Sequence, residues 1–222
     1  SSIWIVVANS WQQTPTGYHL VEHPIGGRTQ VRAEITDFWA VVFNPSTIER
    51  LVHVWIGAFI LGAFFVMSIT AYYILRKRHE TFARRSFTAA LVVALVASLA
   101  ALVSGHSQAK NVYHTQPAKM AAFEGHFQTA GGVPLYLFGF PDEQTQQVRA
   151  GVKLPGMLSF LIHNDARAEV KGLDRFPTDE WPPVAASFHC YHIMVGLGTF
   201  FIVITVLAAV LWWRGTLFSK KW

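Results

Sequence analysis

The stretch that decides the fold runs from Val184 to Trp213 and reads VAASFHCYHIMVGLGTFFIVITVLAAVLWW. It contains no Asp, Glu, Lys or Arg, and its two histidines, His189 and His192, lie in its first turns. A helix needs about 17–25 predominantly apolar residues to cross the hydrocarbon core of a bilayer. The stretch therefore predicts a transmembrane helix.

Two further stretches meet the same requirement. Leu51–Leu75 has His53 as its one histidine and no acidic or basic residue, and Ser86–Ser104 is uncharged and rich in Ala, Val and Leu. In a soluble bundle, Ser86–Ser104 would have no polar face to present to water. Only 14% of the 222 residues are charged, whereas a typical soluble domain has about a quarter. Pattern and composition together predict three complete transmembrane helices.

The distribution of charge predicts how these helices are oriented. The connector from Arg76 to Arg85 holds five Lys or Arg and one acid, and three more basic residues follow the last helix. Residues 9–50 carry three basic and four acidic residues, and residues 105–183 carry seven and eight. Because short basic connectors stay in the cytoplasm, we expect both long segments to be extracytoplasmic. The excess of basic residues behind the net charge of +5 lies in the short connector and after the last helix. Because membrane orientation explains that distribution, we expect no nucleic acid as a partner.

These segments predict an all-α integral membrane protein with four parts. Residues 1–50 hold the end of a truncated transmembrane helix and an outer loop, and residues 51–104 form a transmembrane helical hairpin. Residues 105–183 form a long extracytoplasmic loop, and residues 184–222 form the last transmembrane helix and a cytoplasmic tail. Residues 1–8 resemble the end of an apolar helix whose beginning is absent, so we expect the chain to be part of a longer polypeptide.

The loop over residues 105–183 is unusually long for a structureless connection, and long loops are often functional. Pro117–Phe127 predicts a short helix with a proline near its start. Val133–Pro141 predicts an extended apolar segment, and Pro155–Ile162 predicts a second short helix.

Histidine and methionine side chains near the outer ends of the spans are candidate haem ligands. An ionisable group inside a span is a functional candidate by default. Antiparallel helices place His53 at a depth similar to the first turns of the last helix, which carry His189, His192 and Met194. Two axial ligands on one iron require that geometry. The spacing leaves open a His/Met pair, a bis-histidine pair and a neutral core histidine at position 53.

Met67 also lies in a predicted span, but unlike Met194 it is not a candidate haem ligand. It lies 14 residues beyond His53, which is about 21 Å farther along a helix. The two side chains are too far apart to share one iron. We expect Met67 in the core.

Lys119 and Glu124 form a second candidate site, in the predicted short helix. They lie about 140° apart on a helix, which excludes the ordinary i, i+4 ion pair and leaves two solvated surface charges as the plain interpretation. The chemical interpretation is quinol oxidation, which needs a donor to hold an oxygen and a base to accept a proton. A carboxylate in a partly apolar pocket suits that proton transfer. We expect Met120 and Phe123 to line the pocket.

Several motifs, in the same order along the chain, resemble subunit I of the cytochrome bd-type quinol oxidases. They are ANSWQQTPTG (8–17), NPST with LVH (44–53), QPAKMAAFE (116–124), LFGFPD (137–142) and PPV with YHIMV (182–195). The resemblance implies that His53 and Met194 are the axial ligands of a low-spin haem b. It also implies that Lys119 and Glu124 act in quinol oxidation and that the loop over 105–183 binds the quinol. In some members an arginine at the position of His192 stabilises the haem, which makes His192 a cofactor-binding candidate.

The resemblance further implies an enzyme, a bd-type terminal oxidase. Quinol is oxidised at the outer face, and electrons pass through haem b toward a high-spin haem b and a haem d that reduce O2 to water. The helices that hold those two haems are not in this sequence, so this part alone lacks the oxygen-reducing site. A haem b electron carrier without oxygen chemistry is the alternative function.

The resemblance also implies partners and a location. The expected partners are subunit II of the oxidase, a small single-helix subunit as a further candidate, ubiquinol or menaquinol, and the lipid bilayer. The expected location is the bacterial or archaeal cytoplasmic membrane, with several passes. A transporter would need polar residues through the middle of its spans, and Leu51–Leu75 and Ser86–Ser104 have almost none there.

Overall fold

The computed structural model describes residues 2–25 and 28–219 and forms two compact units, the first ending at Trp55 and the second beginning at Ile56. Over the described residues the α-helices are α1 Ser2–Gln13, α2 Phe38–Val42, α3 Thr47–Leu75, α4 Glu80–Thr115, α5 Pro117–Glu124, α6 Met157–His163 and α7 Val184–Trp213. The strands are β1 Tyr18–Ile25, β2 Arg28–Ile35, β3 Ala130–Gly131, β4 Leu135–Asp142, β5 Gln147–Leu154 and β6 Glu169–Val170. Two 3-10 helices, Leu173–Arg175 and Thr178–Glu180, precede α7. The predicted, mainly helical fold is confirmed.

Three helices in the described part of the chain, α3, α4 and α7, are long and apolar enough to cross a membrane. They correspond to the three predicted spans. However, α4 continues past Ser104, the predicted end of its span, as far as Thr115. Hydropathy marks only the part of a helix that suits lipid, and the polar residues after Ser104 are still compatible with a helix. The helix ends where Gln116, with a φ of −141°, precedes Pro117, because proline disfavours the α conformation in the residue before it.

An apolar cluster joins the membrane helices of the second unit. Ala63 and Met67 of α3 share it with Ala90, Leu91 and Ala94 of α4, and Ala208 of α7 packs against it. Small residues such as these alanines favour helix association in lipid. Met67 is only 8% exposed, and its predicted core position is confirmed. Many other apolar side chains of these helices are exposed, as expected for surfaces that contact lipid.

The first unit contains an antiparallel hairpin where the sequence predicted an undivided outer loop. Strands β1 and β2 pair in register from Tyr18↔Ile35 to Ile25↔Arg28. Charged and histidine side chains occupy many positions of both strands. These residues hide the apolar alternation by which a half-buried strand is predicted.

A buried hydrogen-bond network in the first unit joins the motif ANSWQQTPTG (8–17) to the motif NPST (44–47). The Thr14 hydroxyl donates to Asn44 Oδ1 at 3.0 Å and lies 2.6 Å from the Ser46 hydroxyl. The Asn44 amide donates to the Val41 carbonyl at 3.0 Å. Because buried polar groups need such partners, the network fixes the backbone that leads into α3, the helix of His53.

The segment between α4 and α7 has an apolar core of its own. Its first cluster contains Met120, Val133, Leu158, Ile162 and Val170, and its second contains Ala121, Ala122, Phe127, Leu173 and Val184. Helix α5 contributes to both clusters and is therefore held firmly between them. The predicted short helices within 117–127 and 155–162 correspond to α5 and α6, and the predicted extended segment corresponds to β4.

Candidate functional site

Helix α5 is fixed at both ends by residues suited to those positions. Pro117 lies in the first turn, where its missing N–H is not needed. Gly125 caps the helix with a φ of +60°, a left-handed conformation that glycine adopts without strain. A Cβ at Gly125 would lie 2.7 Å from Val148 Cγ2 and 3.2 Å from Phe188 Cδ2. The helix therefore ends directly against α7, with Glu124 as its last residue.

Glu124 is buried without a hydrogen-bonding partner of ordinary geometry. It is 1% exposed, and neither carboxyl oxygen makes a standard hydrogen bond to a described residue. Burial disfavours the charged form and raises the pKa of the Glu124 carboxyl to about 8. The carboxylate is therefore a stronger base than that of an ordinary glutamate.

Tyr191 is the polar neighbour of Glu124. Its ring stacks on Phe123, with ring centroids 5.0 Å apart and planes 5° from parallel. Its hydroxyl lies close enough to the Glu124 carboxyl to lower the pKa of that group, against the larger effect of burial. Lys119 Nζ lies over the Phe123 ring, 5.7 Å from its centroid. An ammonium group, two stacked rings and a carboxyl are thus gathered where α5 meets α7.

The structure adds to the sequence prediction in two respects. Met120 is 3% exposed and packs with Val133 and Leu158, and its place in a pocket beside Glu124 stays a prediction. Tyr191 was missed because a tyrosine in an apolar helix usually serves packing. The available signal was its polar tip near the end of an apolar span, but its pairing with Glu124 joins segments far apart in sequence.

His192 connects β4 to α7. Its Nδ1 lies 2.8 Å from the Phe188 carbonyl oxygen, and its Nε2 lies 2.8 Å from the Tyr136 carbonyl oxygen. The imidazole also stacks on the Phe188 ring, with centroids 3.9 Å apart. His189 packs edge-on against Phe140 and Phe188. Both nitrogens of His192 thus face protein carbonyls, and its contact with a haem stays a prediction.

His53 and Met194 offer donors that suit a haem iron. His53 lies early in α3 and is partly buried, whereas Met194 lies in the first half of α7 and is 55% exposed. Gly57 and Gly198 follow them by four positions, hence on the same helix face. A Cβ added to either glycine would meet nothing within 4 Å. Both positions therefore leave room beside the donor for a flat porphyrin, as do Gly62 and Gly196 on the same two helices.

The predicted haem ligands belong to different units of the structure. His53 belongs to the first unit, and Met194, His192, Lys119 and Glu124 belong to the second. Imidazole and thioether are an established donor pair for haem iron, so these residues fit the group. That they bind the same iron stays a prediction.

Comparison with known proteins decides the family. The sequence model of cytochrome bd terminal oxidase subunit I matches residues 1–222, the whole chain. The chain belongs to this family. Membership of this family, together with three described helices that are long and apolar enough to cross a membrane, makes the chain part of a membrane protein, and the family is one of respiratory electron transport. The cytochrome bd family also implies haem cofactors.

The relatives share the cytochrome bd name. A Bacillus subtilis (strain 168) protein named as a cytochrome bd menaquinol oxidase subunit I is 35% identical over 98% of this chain and 47% of its own length. The cytochrome bd ubiquinol oxidase subunit 1 of the same strain is 34% identical over 100% of this chain and 48% of its own. The solved structure of bd oxidase from Geobacillus thermodenitrificans has a TM-score of 0.82 and 30% identity, over 100% of this chain and 48% of that one. The chain thus spans about half the length of these relatives.

Proposed function

We propose that the chain supplies the quinol-oxidising part of a bd-type terminal oxidase. The observation that carries this proposal is the buried carboxyl of Glu124, which lies beside Tyr191 where α5 meets α7. A buried carboxyl without good hydrogen bonds costs the folded state free energy. We therefore attribute its retention at this junction to a chemical role.

Glu124 is the base in this proposal. The O–H bond of a bound quinol breaks, and the proton forms a bond to a carboxylate oxygen of Glu124. Base catalysis is most effective when the pKa of the base lies near the operating pH, and the pKa of about 8 for Glu124 meets that condition. Lys119, whose ammonium group lies over the Phe123 ring, binds a quinol oxygen and orients the head group.

His53 and Met194 hold a low-spin haem b in this proposal. When bound, the haem supplies a one-electron acceptor for the quinol and the connection to the oxygen-reducing haems of a complete oxidase. The chain's own contribution is to present an imidazole and a thioether from two long helices. The open positions of Gly57 and Gly198 leave room for the haem beside these two residues.

The family match supports the oxidase over a haem b electron carrier, because all 222 residues match a terminal oxidase subunit. The substrate class is a quinol. Relatives named for menaquinol and ubiquinol are 35% and 34% identical to this chain, so they support the two head groups equally. Subunit II and the small subunit as partners, and the extracytoplasmic position of residues 105–183, are further parts of the proposal.

The substitution Glu124→Gln in the full oxidase tests this function. Glutamine keeps the shape of the side chain and removes the base. Quinol oxidation should therefore fall by about 10²-fold or more. Electrons from an artificial one-electron donor that bypasses the quinol should still reach oxygen at the unchanged rate.

The matched control is Glu180→Gln, which changes an exposed carboxylate of the same outer segment. It should leave both rates as they were. Equal losses of the Glu124→Gln variant with both donors, or full quinol oxidation by that variant, would contradict the proposal.

A further inference from the structure

Tyr191 occupies a position that its neighbours define closely. Its ring lies almost parallel to that of Phe123, so its rotation is restricted. Its hydroxyl is near enough to favour the charged form of Glu124, whose two oxygens have no hydrogen-bonding partner of standard geometry among the described residues. A phenol placed against a buried carboxyl in this way can donate its hydrogen to the charged form, and hydrogen bonding to that form favours it.

The other titratable side chains around α5 are engaged elsewhere. Four of them make hydrogen bonds: His126 with the Val170 carbonyl, Asp174 and Arg175 with Thr129, and His192 with two carbonyls. The other three contact rings: Lys119 lies over Phe123, His189 packs on Phe140, and Tyr113 of α4 packs on His114 and His163. These residues come from α5 itself, from α4, α7 and the 3-10 helix Leu173–Arg175, which pack against α5, and from the segment that follows α5. Tyr191 is the neighbour whose hydroxyl favours the charged form of the Glu124 carboxyl.

We infer that Tyr191 is a positioning residue of the quinol site, which holds the Glu124 carboxylate in its basic form. This inference rests on the proposed function of Glu124. Tyr191 keeps its own proton throughout, while the quinol proton passes to a Glu124 oxygen. Tyr191 also lies three residues before Met194, on the same face of α7. One face of α7 therefore carries the hydroxyl that acts on Glu124 and the predicted haem ligand.

The test is the substitution Tyr191→Phe in the full oxidase, read as the pH profile of quinol oxidation. The rate of a base-dependent step rises with pH until the base is fully ionised. Phenylalanine keeps the stacking on Phe123 and removes the hydroxyl that favours the charged form. The rising limb of kcat/KM should move to higher pH by about one unit, which gives about a tenfold loss below the limb and full recovery above it.

Two controls accompany this measurement. Tyr113→Phe, a tyrosine of α4 that packs against His163, should leave the limb in place. The rate with the artificial donor and the haem b absorbance should be unchanged in Tyr191→Phe.

The outcomes separate this inference from the proposed function. An unshifted limb in Tyr191→Phe, or a uniform loss at every pH, would overturn the role of Tyr191 as a positioning residue, even where Glu124→Gln has lost quinol oxidation. Full activity of Glu124→Gln would instead overturn the proposed function itself. A shifted limb that recovers at high pH supports both.

Discussion

Two glutamates in different units of the chain have opposite surroundings. Glu34 lies on β2, where hydrogen bonds from Arg32 and His23 lower the pKa of its carboxyl. Glu124 lies at the end of α5, where burial raises the pKa of its carboxyl to about 8. Near neutral pH, Glu34 is a fixed negative charge, whereas Glu124 can gain and lose a proton.

The comparison teaches that partners and burial distinguish a structural charge from a reactive one. The hairpin of β1 and β2 places Arg32 and His23 against its carboxylate in an exposed position. At the junction of α5 and α7 the carboxyl is buried next to the stacked pair of Phe123 and Tyr191. Only the second arrangement makes proton transfer sensitive to a single neighbouring hydroxyl.

The largest effect is expected on haem absorbance, from a comparison of two histidines. His19 is exposed on the hairpin beside Glu34, while His53 lies on α3 beside the open position of Gly57. His53→Ala in the full oxidase should abolish the low-spin haem b absorbance, because the iron loses a strong ligand. Reduced-minus-oxidised difference spectra measure this loss, and the signals of the other haems should persist.

His19→Ala serves as the control and should leave all haem signals intact. Retention of the low-spin signal in His53→Ala would show that the ligand is assigned to the wrong residue. Loss of that signal in His19→Ala would show that the β1–β2 hairpin also affects the haem site.

A smaller effect should follow from Gly125→Ala. The left-handed conformation costs an alanine about 1–2 kcal/mol, and the new methyl group would approach Val148 and Phe188. We expect α5 to shift away from α7 and quinol oxidation to fall by about tenfold, with the haem spectrum preserved. Gly62→Ala, where an added Cβ meets nothing within 4 Å, should have no such effect. Equal activity of the two variants would mean that the position of Glu124 does not depend on this contact.

The smallest effect should come from Glu34→Gln. Exposed ion pairs contribute little and are screened by salt, so quinol oxidation should stay unchanged and thermal stability should change only slightly at low salt. Because the pKa of Glu34 is lowered in the folded state, its stabilising effect is present above the ordinary carboxyl pKa. It is lost as the pH falls through the lowered value. A large loss of quinol oxidation in this variant would erase the distinction between the two glutamates.

The membrane helices could be predicted from sequence because their signal is local. The helix of Val184–Trp213 contains no Asp, Glu, Lys or Arg, and such a run has few stable environments other than lipid. The length of α4 was underestimated because its polar end, up to Thr115, extends beyond the apolar part. The β1–β2 hairpin was missed because charged residues and histidines interrupt the apolar alternation on both strands.

The candidate site was predictable only in part. Lys119 and Glu124 stand in a short motif, and a proline marks the start of their helix. The burial of Glu124, however, depends on how α5 meets α7, through Gly125 and Phe188. No local pattern encodes that meeting, and so the role of Tyr191 could not be read from the sequence.

The most direct test of the account is the protonation of Glu124 itself. Infrared difference spectroscopy of the full oxidase, recorded as a function of pH, detects the carbonyl stretch of a protonated carboxyl. We predict a band that disappears with a pKa of about 8 and is missing from Glu124→Gln but present in Glu34→Gln. A band that titrates in the ordinary range of glutamate, or one that survives in Glu124→Gln, would contradict the account.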